Sequence, residues 1–153
     1  MAVVTNSNYR KYDPDVGDIH VFNGAVKIGG PVESTDSGGK KFCFAIHGSI
    51  EYDVADPFTE SLGTVPAGAK IIGTIVHVET AFDAGTTNVL EVGDSDTANL
   101  LVGANDVDET QAGTTLVGKV VDVTEDTEIL AKYTQTGTAA TQGKANITVL
   151  FLL

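Results

Sequence analysis

Three histidines, one cysteine and a run of acidic loops are the residues of this 153-residue chain with the chemistry to catalyse or to ligate. His20, His47 and His77 stand 27 or more residues apart, each inside a segment that reads as a strand. A zinc site ordinarily draws on ligands paired at short spacing, so these read as packed or surface histidines and no metal is expected. Asp94, Asp96, Asn105, Asp106, Asp108 and Glu109 offer oxygen ligands for calcium, yet the ligand order of an EF-hand loop is missing. They read as solvated turn residues. His47, Ser49 and Glu51 share the outward face of one strand, but neighbours two apart there are separated by about 6.6 Å. No Gly-x-Ser-x-Gly elbow or oxyanion hole accompanies them, so no catalytic residue is assigned and the chain is not read as an enzyme. Gly29-Gly30 and Gly38-Gly39 fall short of any phosphate-binding pattern, and no cofactor is expected. Asn146-Ile147-Thr148 matches a glycosylation acceptor but lies inside a strand, and its structural reading prevails.

Composition narrows the partners. Nine basic against 21 acidic side chains give a net charge of −12, which repels a phosphate backbone and excludes nucleic acid as a partner class. Residues 71 to 153 carry 3 basic and 12 acidic side chains, so the second half should be an acidic surface. No apolar run approaches the roughly 20 residues of a bilayer helix, and no membrane partner is expected. A single cysteine, Cys43, excludes an intrachain disulfide. The start Met-Ala-Val-Val-Thr-Asn has neither a basic n-region nor an apolar core, so assembly in a cytoplasm is the expectation.

The elements that must position these residues are strands. Val, Thr and Ile number 19, 19 and 9, with 17 glycines and no tryptophan, a mixture suited to pleated strands and tight turns. Asp18 to Ile28 reads as a strand, with His20, Phe22, Val26 and Ile28 on one face. From 42 to 54 the alternation is cleanest: Phe42, Phe44, Ile46, Ile50, Tyr52 and Val54 face one way and Cys43, His47, Ser49, Glu51 and Asp53 the other. Asp56 to Gly68 reads as a connection, and Ile71 to Val78, Thr87 to Val92, Leu100 to Val102, Leu116 to Val123, Glu128 to Tyr133 and Ala145 to Leu153 as strands. About eight short antiparallel strands separated by turn signals predict an all-β, jelly-roll-like sandwich over residues 16 to 153. Residues 1 to 15 have no period of 2 or 3.6 and read as an extended N-terminal arm.

Val65-Pro66-Ala67-Gly68-Ala69 leads into the strand 71–78, followed by Thr80-Ala81-Phe82-Asp83-Ala84-Gly85-Thr86-Thr87 and Val89-Leu90-Glu91-Val92-Gly93. Asp94 to Val102 comes next; then Thr127 to Tyr133, the loop Thr134-Gln135-Thr136-Gly137-Thr138-Ala139-Ala140-Thr141-Gln142-Gly143-Lys144, and the strand to Phe151 close the pattern. This arrangement, a little over half the chain, resembles small tailed-bacteriophage virion proteins, including capsid decoration or cement proteins. The resemblance implies a viral structural protein on the capsid exterior, binding the outer surface of the major capsid protein lattice and stabilising the head. A head-fibre, tail or receptor- or carbohydrate-binding appendage is the alternative, though sugar platforms use exposed aromatics and only 7% of residues are aromatic.

Two segments offer themselves as interfaces. In the arm, Val3, Val4, Tyr9 and Tyr12 supply apolar anchors while Arg10 and Lys11 supply cations beside an acidic body, so the arm should order on docking. In the last strand, Ala145, Ile147, Val149, Phe151 and Leu153 make one face, but the other changes from Lys144, Asn146 and Thr148 to Leu150 and Leu152. An end that is apolar on both sides needs a cover, and self-association into a homo-oligomer or contact with the capsid lattice would provide it.

Overall fold

In the computed structural model, residues 42–53 and 58–153 are described. The arm at 1–15 and the strand expected at 18–28 lie outside them, as does Val54. Among the described residues eight strands form: β1 (Cys43–Glu51), β2 (Phe58–Val65), β3 (Lys70–Thr80), β4 (Thr87–Gly93), β5 (Gly113–Val117), β6 (Val121–Asp122), β7 (Thr127–Thr136) and β8 (Lys144–Leu152). All pairings are antiparallel. One sheet runs β1-β8-β3-β5 with β6 also on β3, and the other runs β2-β7-β4. Chain neighbours thus alternate between sheets from β1 to β4. An isolated bridge from Val102 to Val92 puts the 100–102 segment beside β4, where the fourth strand of the smaller sheet would lie. This is the double-sheet order of a jelly roll.

Side chains at period 2 build the core. Ala145, Ile147, Val149 and Phe151 of β8 are buried, and Ile71, Val76 and Val78 of β3 lie beside them. They face Leu62, Val65, Leu90, Val92, Ile129, Ala131 and Tyr133 of the other sheet, each buried valine, leucine or isoleucine contributing roughly 1.5–3 kcal/mol. Phe82 closes one end with its ring 4.5 Å from that of Tyr133. Gly48 of β1 packs closely on Leu62 of β2: a Cβ there would meet Leu62 Cδ2 at 2.7 Å, so the leucine would have to shift to admit one. The inward phase of β1 is the expected one, but burial is graded along it. Ile50 is buried, Phe44 and Ile46 are half-buried, and Phe42 is 44% exposed, because β1 is an edge strand with β8 alone beside it among the described residues.

Three expectations change in detail. Phe58–Val65, read as connection, is a strand whose bulge between Ser61 and Gly63 breaks the alternation. The segment 116–123 is interrupted after Val117 and resumes only as the two-residue β6. Leu100 to Val102 forms a bridge and no strand of its own.

Candidate functional site

The polar candidates are held within their own elements. Asp94 Oδ1 accepts from the backbone N–H groups of Asp96 and Thr97, Asp106 Oδ2 from that of Gly103, and Asp108 Oδ1 from that of Thr110 and from its hydroxyl. These carboxylates stabilise turns. The Gly103 N–H holds the Asp106 carboxyl below the ordinary aspartate range. Glu109 differs: it is 4% exposed, and its Oε1 accepts from Leu90 N at 2.8 Å while its backbone carbonyl accepts from Phe82 N at 2.9 Å. Burial raises its pKa. No group of three or more His, Cys, Asp or Glu side chains converges among the described residues.

His47, Ser49 and Glu51 do project from the outer face of the larger sheet, all exposed. His77 shares that face with its Nδ1 2.9 Å from Thr114 Oγ1, and Asn146 donates to Glu79 Oε2 at 3.1 Å. Lys144 Nζ lies 3.7 Å from Glu51 and 3.4 Å from Glu79. One end of the face is therefore a polar lattice of short side chains.

The other end is apolar. Leu150 and Leu152 are half-buried on the central strand β8, with Ala45 and Gly73 flanking Leu150 and Cys43 and Lys70 flanking Leu152. One step along, Ile75 of β3 pairs with Leu116 of β5, whose side chain is 66% exposed, and beyond β5 Val120 is 67% exposed. Gly73 leaves room for Leu116: a Cβ there would touch Leu116 Cδ1 at 3.4 Å. Across this half of the face the charges among the described residues are Lys70 and Asp122, which are register partners and ion-paired with each other. A surface without an unpaired carboxylate, on a chain of net charge −12, is suited to contact with another macromolecule.

Of the expected interface residues, Leu150 and Leu152 thus lie together on this patch, and Val3, Val4, Tyr9, Arg10, Lys11 and Tyr12 lie outside the described residues. Leu116, Val120 and Ile75 extend the patch without a local sequence signal, since it is the pairing of β5 with β3 that brings Leu116 beside Ile75.

No family model and no curated protein matches the chain in sequence. Among solved structures it is similar to a chain of the cyanophage Pam1 capsid asymmetric unit, with a TM-score of 0.60 and 17% identity, over 86% of this chain and 99% of that one. It is also similar to a chain of the acidic stable capsid structure of Helicobacter pylori bacteriophage KHP30, with a TM-score of 0.58 and 20% identity, over 74% of this chain and 92% of that one. The likeness is one of fold, and in both cases it takes in nearly the whole of the matched chain.

Proposed function

We propose that this chain is a bacteriophage virion structural protein of the capsid decoration type, which docks on the outer surface of the major capsid protein lattice and performs no catalysis. The observation that carries the reading is the fold likeness to nearly an entire chain of a phage capsid asymmetric unit, a partner of the same small size. Decoration acts by mass action: a domain that binds the assembled lattice and not its free subunits stabilises the shell, and repetition over many sites makes small gains collective. The apolar half of the larger sheet, with Leu150, Leu152 and Leu116, is the face that meets the lattice. The arm at residues 1 to 15 adds anchors through Val3, Val4, Tyr9 and Tyr12 and cations through Arg10 and Lys11.

Co-sedimentation with purified capsids lacking this protein tests the reading. The wild-type chain should saturate the particles and raise their resistance to heat, while Leu150→Thr/Leu152→Thr should stay folded and bind at least tenfold more weakly. Deleting residues 2 to 12 should lower occupancy while leaving the melting temperature of the isolated domain nearly unchanged. A wild-type chain that ignores capsids but retains glycan or host-cell binding would make it an appendage protein.

A further inference from the structure

The edges of the two sheets are treated unequally. β5 is five residues long and breaks off before the two-residue β6. β2 carries a bulge. β4 is covered, since Leu90 N donates to Glu109 and Val92 exchanges backbone bonds with Val102 and accepts one from Leu101 N. These are the usual protections of a sheet edge. β1 has none of them among the described residues: nine residues pair with β8 without a register shift, and the strand contains no proline, lysine, arginine or bulge.

Which backbone groups of β1 point away from β8 follows from its register. Phe42 and Leu153 exchange both backbone bonds, at 3.2 and 3.1 Å, and Tyr52 N donates to Gly143 O at 3.1 Å. In an antiparallel ladder such pairs recur at every second residue. Phe44, Ile46, Gly48 and Ile50 therefore bond to β8, whereas Cys43, Ala45, His47, Ser49 and Glu51 turn their N–H and C=O groups to the other edge, where no described residue pairs with them.

We infer that this edge pairs with the same edge of a second copy, β1 antiparallel to β1 about a two-fold axis through His47. That register uses the whole strand. It sets Cys43 opposite Glu51, Ala45 opposite Ser49 and His47 opposite its symmetry mate, so no carboxylate meets another although each chain carries −12. On the inner side it brings Ile50 against Phe44 and Gly48 against Ile46, covering two side chains that the single chain leaves half-exposed. Antiparallel pairing keeps the faces aligned, so both copies present their Leu150 and Leu116 patches to one side. The inference goes beyond the capsid reading and is tested on the isolated protein.

The experiment is disulfide trapping. Opposite residues of a bonded antiparallel pair have Cα atoms about 5.5 Å apart, inside the disulfide range. Glu51→Cys should therefore give, on mild oxidation, a reducible dimer through Cys43 of one copy and position 51 of the other. Within one chain these positions are about 27 Å apart along the strand and cannot bridge. Ser49→Cys faces Ala45 and should dimerise no more than wild type. His47→Pro removes an N–H that β8 does not use, and should convert a dimer to a folded monomer in sedimentation. A monomeric wild type at tens of micromolar, or equal cross-linking of Glu51→Cys and Ser49→Cys, would overturn the pairing. Were His47→Pro to misfold, the cysteine comparison decides alone.

Discussion

The two sheets bury inner faces of the same kind and present different outer ones. On the outside of the smaller sheet, Glu91, Lys132 and Thr59 lie in one row, and Ser61 donates to Glu128 at 2.6 Å. Its one outward leucine, Leu130, is flanked by Ser61 and Gly93. On the larger sheet Leu150, Leu152, Ile75 and Leu116 gather on neighbouring strands, away from the Lys144 lattice at the other end. Both inner faces are what folding requires. Leaving apolar area in water forgoes roughly 25 cal/mol per Å², so the outer difference between the sheets is what the proposed lattice contact would use.

Placing the same charge on the two sides of one strand separates these roles with the largest effect. Ile147→Asp buries a carboxylate without a partner, which costs several kcal/mol against a total of about 5–15, and should abolish the cooperative thermal transition. Leu150→Asp, three residues on, should remain folded by circular dichroism and lose capsid binding. In the smaller sheet Ala131→Asp should unfold and Leu130→Asp should leave both fold and binding intact. Loss of binding in Leu130→Asp would mean that both outer faces are used.

These outcomes rest on a pattern that was partly legible. In β7 and β8 the alternation of Ile129, Ala131, Tyr133 and of Ala145, Ile147, Val149, Phe151 assigns the buried side without ambiguity, because each strand is flanked by partners on both sides. β2 was illegible for a physical reason: its bulge places Leu62 and Val65 inside, three apart, and period 2 never develops. The outward turn of Leu150 and Leu152 was readable within one strand, but Leu116 and Ile75 join them only through strand pairing, which no local pattern encodes. Glu109 reads as a solvated acid in sequence because its partner on β4, Leu90, lies 19 residues away.

Glu109 gives a smaller effect, at the covered edge of the smaller sheet. Its raised pKa means that the folded chain holds the proton more tightly than the unfolded one, so stability is gained as pH falls through the folded value toward the unfolded one. The melting temperature should rise as pH falls toward the ordinary glutamate range, before Asp106, whose pKa is lowered, begins to lose its turn bonds in stronger acid. Glu109→Gln keeps an oxygen for Leu90 N and removes the charge; it should be the more stable protein at neutral pH and show a flatter profile. Glu109→Ala should be less stable at every pH, since Leu90 N then loses its acceptor. An unchanged profile in Glu109→Gln would assign the pH dependence to another group.

The smallest effect is expected at the polar end of the larger sheet, where charges abound and little should depend on any one of them. Lys144 bridges Glu51 and Glu79, but all three side chains are well exposed, and solvent-exposed pairs of this kind contribute little and are screened by salt. Lys144→Ala should therefore barely move the melting temperature and leave capsid binding as in wild type. The variant should still be visible in the titration of Glu79. The Asn146 amide is the first cause of its lowered pKa, and the Lys144 ammonium, by hydrogen bond and by charge, comes next. In Lys144→Ala the Glu79 carboxyl should move back toward the ordinary glutamate value by NMR, yet stop short of it because Asn146 still donates. Complete return would show the amide contact to be absent in solution, and a marked loss of capsid binding would extend the interface from the leucine end across the entire sheet.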